Sequence, residues 1–155
     1  MIVFLDTNIL GKLANPNKLQ EALECRAWFE RLYGRGTYFV SSELCFYEVK
    51  RSLILAVQTG KTSAGIKQLE DIEDFIEFFE VDRPVAELAA ELWARGRLRG
   101  QPTADENNLD IDTIIMAHWQ LLSESFPGRK VTIATTNVRH LSLFAEAKEW
   151  QDITY

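Results

Sequence analysis

The strongest constraint on the fold is an alternation of short apolar runs with longer amphipathic segments. The apolar runs have the length of buried strands and fall near residues 2–5, 37–40 and 131–134, with a weaker one near 78–81. The longer segments have helical length and are separated by glycine or proline; they cover 18–33, 43–58, 63–77, 84–97 and 111–124. This order predicts an α/β fold in which helices cover both faces of a central, mainly parallel sheet.

The composition indicates one globular domain over residues 1–155, because 46% hydrophobic residues can form a core. The longest apolar stretches are too short to span a membrane and no signal peptide is visible, so we expect a cytoplasmic protein without membrane contact. A net charge of −6 argues against nucleic-acid binding by the whole surface, but not by a local basic patch. Cys25 and Cys45 match no zinc or disulfide spacing and should lie reduced in the core.

Ligands of parallel sheets bind beyond the carboxyl ends of the strands, and four segments place polar residues there. In the first, FLDTNIL, Asp6 ends an apolar run and is followed by Thr7 and Asn8. Two hypotheses explain Asp6 about equally well: it caps the following turn, or it binds a metal ion. Asp6 alone does not decide between them.

In the second segment, SSELCFYEVKRSL, Glu48 lies on a largely apolar row of a helix that should begin near Ser42. An unpaired carboxylate is costly to bury there, which favours a functional role. The alternative is an exposed helix edge on which Glu48 only pairs with Arg51, one turn further on. Glu43 is a weaker candidate, because the helix dipole already explains an acid in the first turn.

The third and fourth segments begin two further helices. In NNLDIDTIIMAHWQLL, residues two apart do not share a helix face, so at most one of Asp110 and Asp112 should point into a site. We predict that Asp110 is the helix cap and that Asp112 faces the site. In VTIATTNVRHL, a short strand leads to Thr135 and Asn137, which could either cap the next helix or bind a phosphate.

Together, the four segments resemble the PIN domain, and in particular the small bacterial PIN ribonucleases of the VapC toxin type. FLDTNIL resembles the opening motif, the S-x5-E spacing from Ser42 to Glu48 the second, DTIIMA the third and TTNVRHL the closing T-x-N motif. Met116 stands where a small residue is usual and Leu141 where an aromatic is common, which look like packing changes. Asn137 replaces a fourth acid of some members, which argues against a tightly held second metal ion unless Asp110 compensates.

The resemblance implies a three-layer α/β/α PIN-like fold in which Asp6, Glu48 and Asp112 converge as catalytic acids. Two carboxylates about 5 Å apart repel by roughly 3 kcal/mol at an effective dielectric near 20, so three of them require a cation. Oxygen ligands select a hard ion, and we expect Mg²⁺ or Mn²⁺ as the cofactor. Supporting roles fall to Asp110, Thr135, Asn137 and Asn8.

The resemblance further implies a metal-dependent endoribonuclease that hydrolyses RNA phosphodiester bonds. As the toxin of a toxin–antitoxin pair, it would form a homodimer and bind a small antitoxin that blocks the acidic site. The alternative is a catalytically inactive PIN-fold module that binds RNA or protein. Candidates for RNA binding, of which two or three should make contact, are Lys50, Arg51, Arg95, Arg97, Arg99 and Arg139.

Two other hypotheses receive less support from the sequence. A phosphatase of the haloacid dehalogenase type would require an acid at the position of Asn8. A general-base role for histidine is also disfavoured: His118 should be a core or edge residue of an amphipathic helix, and His140 has no assigned catalytic role.

Overall fold

The computed structural model describes residues 1–17, 19–103 and 110–155. Its strands are β1 (Ile2–Leu5), β2 (Tyr38–Ser42), β3 (Glu77–Phe79), β4 (Val131–Thr135) and β5 (Ala147–Glu149). Its α-helices are α1 (Thr7–Leu13), α2 (Gln20–Tyr33), α3 (Glu43–Gln58), α4 (Ala64–Glu73), α5 (Arg83–Leu98), α6 (Ile111–Ser125) and α7 (Val138–Leu141). A 3₁₀ turn, Trp150–Asp152, follows β5.

The five strands form one parallel sheet in the order β3-β2-β1-β4-β5. The predicted α/β class and parallel sheet are therefore confirmed. The four predicted strands are β1 to β4, and the five predicted helices are α2 to α6. The sequence patterns missed α1 and β5, because elements of seven and three residues are shorter than the window in which periodicity is detectable.

Helices cover both faces of the sheet, as the side-chain contacts of β1 and β2 show. Phe39 of β2 packs against Phe29 of α2, with ring centroids 4.3 Å apart. Phe4 of β1 stacks on His118 of α6, with centroids 5.7 Å apart. Phe39 pairs in register with Val3, the neighbour of Phe4, and side chains alternate along a strand, so α2 and α6 lie on opposite faces. The predicted three-layer α/β/α architecture is confirmed.

The order of the strands reverses at β1, which pairs with β2 on one side and with β4 on the other. Such a switch point leaves a crevice at the carboxyl ends of the two central strands, where ligands bind in open α/β sheets. The chain is fixed there because the Asp6 amide donates a hydrogen bond to the Ala134 carbonyl at 3.1 Å. The fold therefore brings the residues that follow β1 and β4 together.

The remaining predictions about the core agree with the structure. Met116 and Leu141, the two departures from the motif pattern, are completely buried and fill space in the core. Cys25 and Cys45 are free and buried, and burial raises the pKa of each thiol to about 12, so both remain protonated. Within the described residues, no helix is long and apolar enough to cross a bilayer.

Candidate functional site

Asp6 lies immediately after β1 and is only 4% exposed. It occupies the position before α1, but its side chain makes no capping hydrogen bond to that helix. Its Oδ2 instead accepts hydrogen bonds from the Thr135 hydroxyl at 2.7 Å and from the Asn8 amide at 3.3 Å. Burial raises the pKa of Asp6, the Thr135 hydrogen bond opposes this rise, and the charge of Glu48 adds to it.

Glu48 lies on α3, which begins after Ser42 as predicted; the Ser42 hydroxyl accepts a hydrogen bond from the Leu44 amide. The Thr7 hydroxyl donates to Glu48 Oε2 at 2.9 Å, while Arg51 lies 3.2 Å from Oε1. The Glu48 side chain is 24% exposed. Glu48 therefore does pair with Arg51, but its carboxylate also accepts a hydrogen bond from Thr7, the residue after Asp6.

Asp110 and Asp112 begin α6 with different roles. Asp110 is the helix cap, as predicted, because its Oδ1 accepts a hydrogen bond from the Thr113 amide at 3.3 Å. Its Oδ2 also accepts a hydrogen bond from the Thr103 hydroxyl, which sequence patterns did not indicate. Asp112 lies in the first turn of the helix and is partly buried.

The Asp112 carboxylate is held by the segment that follows β4. Its Oδ2 accepts a hydrogen bond from the Asn137 amide at 3.0 Å and lies 3.4 Å from Nδ1 of His140. Burial raises the pKa of Asp112 to about 6, the charges of Asp6 and Asp110 add to this rise, and His140 opposes it. His140 therefore contacts a candidate catalytic acid, a role that the sequence did not predict.

Thr135 and Asn137 connect two of the candidate acids. Thr135 donates to Asp6 and accepts a hydrogen bond from the Asn137 amide N–H at 2.7 Å. The Asn137 side chain donates to Asp112 and makes no capping hydrogen bond to α7. Within the closing T-x-N segment, the Thr135 hydroxyl thus holds Asp6 and the Asn137 side-chain amide holds Asp112.

All three candidate acids line one cleft of about 380 Å³, which we call the acidic cleft. The other residues that line it are Thr7, Asn8, Thr103, Asp110 and Ile111. The expectation that only one of Asp110 and Asp112 would face the site is wrong. Asp110 precedes the helix as its cap, so the rule that residues two apart lie on different faces does not apply to it.

The acids share the cleft without forming a closed set of ligands. Across residues 1–17, 19–103 and 110–155, no group of three or more histidine, cysteine, aspartate or glutamate side chains is placed to hold a metal ion. The donors themselves are suitable for a hard divalent cation, because they are carboxylate oxygens and two of them have raised pKa values. The chemistry of the donors thus fits Mg²⁺ or Mn²⁺, whereas their present arrangement is open.

The predicted basic residues differ in their relation to the cleft. On α3, Arg51 contacts Glu48, but Lys50 points to Glu70, with its Nζ 2.9 Å from the carboxylate. Arg139 of α7 is exposed and lines a cavity of about 290 Å³ that also includes His140. Arg51 and Arg139 are therefore adjacent to residues of the site, and Lys50 is engaged elsewhere.

The three arginines of α5 lie against aromatic rings. Arg95 and Arg99 are 5.8 and 5.3 Å from the centre of the Phe144 ring, and Arg97 is 4.4 Å from that of Trp93. These cation–π contacts restrict the guanidinium groups. None of the three arginines lines the acidic cleft.

Thr7 contributes to the site in a way that the sequence did not predict. It belongs to the FLDTNIL segment, whose pattern predicts no role for it, although its hydroxyl reaches Glu48 across 41 positions of the chain. The sequence feature that could have indicated this role is a hydroxyl residue directly after the acid that ends a strand. No sequence feature could have indicated the role of Thr103, because nothing in its local pattern relates it to Asp110.

The fold and the position of the cleft define a PIN-like α/β protein. No family model and no curated protein sequence matches the chain. The fold is nevertheless similar to solved structures: VapBC-1 from nontypeable Haemophilus influenzae has a TM-score of 0.65 and 18% identity, covering 98% of this chain and 100% of that chain. VapBC2 from Rickettsia felis, bound to a DNA fragment from the promoter, has a TM-score of 0.68 and 17% identity, covering 97% and 99%.

FitAcB from Neisseria gonorrhoeae is similar to the same extent, with a TM-score of 0.64 and 18% identity over 97% of this chain and 99% of that chain. The likeness to all three structures extends over nearly the full length of the chain. The resemblance to the VapC-type PIN domain, drawn from four short motifs, is therefore confirmed at the level of the fold.

Proposed function

We propose that the chain is a Mg²⁺- or Mn²⁺-dependent endoribonuclease that hydrolyses RNA phosphodiester bonds. The observation that carries the proposal is the acidic cleft, in which Asp6 after β1, Glu48 of α3 and Asp112 of α6 bring their carboxylates together. Burial and neighbouring charge raise the pKa of both Asp6 and Asp112. A divalent cation would relieve this repulsion and also attract the phosphate of an RNA substrate.

Asp6, Glu48 and Asp112 would hold the ion. It would lower the pKa of a water molecule that attacks the phosphodiester, and it would offset the charge that develops on the phosphate. Thr135 and Asn137 fix the orientation of two of these carboxylates, and such supporting hydrogen bonds commonly decide metal affinity. Asp110 caps α6 and adds negative charge beside Asp112, which makes it a supporting residue.

We also propose that the protein acts with a small protein partner as the toxin of a toxin–antitoxin pair. The support is the fold, because the similar solved structures are VapBC and FitAcB complexes. A basic side chain of an antitoxin would pair with the carboxylates of the acidic cleft and exclude the substrate. A homodimer and a location in the cytoplasm belong to the same proposal.

One observation favours a second candidate, a PIN-fold module that binds RNA or protein without cleaving it. In the described part of the chain, the acids form no closed set of metal ligands, and Arg51 already pairs with Glu48. This candidate predicts that the purified protein leaves RNA intact when Mn²⁺ is present.

A cleavage assay with matched glutamate variants separates the two candidates. The protein is incubated with tRNA, rRNA and single-stranded oligonucleotides in Mg²⁺ or Mn²⁺, with EDTA as the metal-free control. Glu48→Gln should abolish cleavage, whereas Glu43→Gln should not, because Glu43 lies on the same helix, is exposed and does not line the cleft. Cleavage that persists in EDTA, or in the Glu48→Gln variant, would refute the proposed mechanism.

A further inference from the structure

A second, larger cavity opens from the acidic cleft on the side of Glu48. Its volume is about 700 Å³, and it shares Thr7, Asn8 and Glu48 with the cleft. It continues along α1 and α3 to the loop before α4, and we call it the Gly11 groove. Its volume lies in the range of roughly 300 to 1,000 Å³ that is typical of ligand sites.

The lining of the Gly11 groove combines polar with apolar side chains and carries little negative charge. Among the described residues that line it, Glu48 is the only acid, although the chain as a whole carries a net charge of −6. Beside apolar side chains, the lining includes the amide and hydroxyl side chains of Asn15, Asn17 and Thr62. Such groups hydrogen-bond to sugar and phosphate oxygens without reading a base.

Lys61 supplies the positive charge of this groove. Gly60 follows the end of α3 and has a φ of +93°. The Lys61 amide donates to the Ala56 carbonyl at 2.9 Å and the Gly60 amide donates to the Val57 carbonyl at 3.0 Å, and these two hydrogen bonds make a Schellman turn. This turn brings Lys61 to the lining of the groove. Within the described residues its ammonium group makes no ion pair, in contrast to Lys50, which is paired with Glu70.

Gly11 places no side chain in the groove above α1. It lies in the interior of α1, where glycine is less favourable than alanine by roughly 0.5–1 kcal/mol. No close packing explains it, because a Cβ at this position would meet no atom within 4 Å. Gly65, which also lines the groove, differs: a Cβ there would lie 2.7 Å from the Leu53 side chain. Packing therefore explains Gly65 and does not explain Gly11.

We propose that the Gly11 groove binds the sugar–phosphate backbone of an RNA strand on the Glu48 side of the cleaved bond, with Lys61 contacting a phosphate. This inference rests on the proposed endoribonuclease function. An RNA strand whose phosphate lies at the acids must leave the cleft along the adjoining surface, and this groove opens directly from it. Its described lining contains no aromatic ring for base stacking, so the contacts are to the backbone and insensitive to base sequence.

The test compares Gly11→Leu and Lys61→Ala with two matched controls. Ala27→Leu adds the same side chain to an exposed helical position, and Lys67→Ala removes an exposed lysine of α4; neither residue lines the groove. The substrates are a single-stranded RNA oligonucleotide and a dinucleotide too short to enter the groove. The affinity for the oligonucleotide is also measured in EDTA by fluorescence anisotropy, which does not depend on cleavage.

We expect Gly11→Leu to raise the KM for the oligonucleotide about tenfold and to leave its kcat and the KM for the dinucleotide unchanged. Its melting temperature should not fall, because leucine favours a helix more than glycine does. Lys61→Ala should weaken binding and reduce the slope of log Kd against log salt by about 0.7 to 1.

Equal KM and Kd values for Gly11→Leu and Ala27→Leu would overturn the inference, and the groove would then be open to another occupant such as an extended peptide. If the wild-type protein cleaves neither substrate but Gly11→Leu still weakens RNA binding, the nuclease proposal fails and the groove assignment stands. If the wild-type protein neither cleaves nor binds RNA, both fail.

Discussion

Helix α6 buries two ionisable side chains, and their surroundings differ. His118, in the middle of the helix, is 4% exposed and lies between the rings of Phe4 and Phe79, at centroid distances of 5.7 and 6.2 Å. Its Nε2 is buried and has no hydrogen-bond partner among the described residues. Asp112, at the start of the same helix, accepts a hydrogen bond from Asn137 and lies in a cleft with other acids.

Burial moves both groups toward their neutral forms. It lowers the pKa of His118 to about 4, against the opposing charge of Asp82, and it raises the pKa of Asp112 to about 6. The histidine is therefore neutral near pH 7, and its buried Nε2 has no polar partner in the part of the chain that the structure describes. The aspartate is mostly ionised near pH 7 and is held by a neutral donor beside other carboxylates, so it still requires a cation. His118 is therefore a core residue, whereas Asp112 lies in a cleft with other acids.

The largest expected effect comes from removing the charge of either sheet-end acid. Asp6→Asn and Asp112→Asn should each lower kcat/KM for RNA on the order of a thousandfold or more, because each removes a proposed metal ligand. Neither should lower the melting temperature, since each replaces a buried carboxylate of raised pKa with a neutral amide. Cleavage assays and thermal unfolding of the same preparations check both results. Activity that survives either substitution would contradict the role of the cleft.

The next largest effect concerns the stability contributed by His118 and its dependence on pH. The folded-state pKa of about 4 lies below the usual value of 6.5, so the unfolded chain binds an additional proton between these pH values. The contribution of His118 to the free energy of unfolding should therefore decrease as the pH falls from 6.5 to 4, by about 3 kcal/mol. His118→Phe keeps an aromatic ring between Phe4 and Phe79 and should lack this contribution.

Denaturant unfolding of the wild-type protein and of His118→Phe at several pH values isolates the effect, because the acids of the cleft are common to both proteins. The difference in free energy between the two proteins should change across this pH range and be constant above it. A difference that does not depend on pH would show that His118 is not neutralised by burial.

A smaller effect is expected from Thr7, which holds Glu48. Thr7→Val keeps the shape of the side chain and removes the hydroxyl that donates to Glu48 at 2.9 Å. Supporting hydrogen bonds of this kind are typically worth 10- to 100-fold in metal affinity or activity, so kcat/KM should fall by about that factor. Thr7→Ser restores the hydroxyl and should recover most of the activity. If serine and valine have the same effect, the hydroxyl does not position Glu48.

The smallest effect is expected from Arg51. Its ion pair with Glu48 is half exposed, and such pairs contribute roughly 0 to 1 kcal/mol to stability. Arg51→Gln should thus leave the melting temperature nearly unchanged, while Mn²⁺ affinity rises about threefold because a competing cation is removed. Metal titration of the variant measures this change. A large loss of Mn²⁺ affinity would instead show that Arg51 holds Glu48 in its binding position.

The sequence predicted the sheet well because buried parallel strands leave a strong local signal. Ile2, Val3, Phe4 and Leu5 are all fully buried, and a run of four such residues before an acid is recognisable without coordinates. The helix cap at Asp110 could also be predicted from nearby residues, since it depends only on the first turn of α6. In contrast, β5 has three residues and depends on pairing with β4, which no local pattern encodes.

The contacts inside the cleft could be predicted only in part, for the same reason. The four motifs indicated which acids belong together, but their hydrogen-bond partners come from distant segments. The hydroxyl of Thr135 reaches Asp6 across 129 positions, and that of Thr7 reaches Glu48 across 41. Whether Asp6 caps a helix or faces a cleft depends on the path of β4, which is a property of the folded sheet.

Titration calorimetry with Mn²⁺ shows whether Asp6, Glu48 and Asp112 together bind one divalent ion, as we propose. The wild-type protein and Glu43→Gln should show the same saturable binding at a single strong site. Glu48→Gln and Asp112→Asn should each weaken this binding strongly while the proteins remain folded. No measurable Mn²⁺ binding by the wild-type protein, or unchanged binding after loss of either acid, would contradict the account.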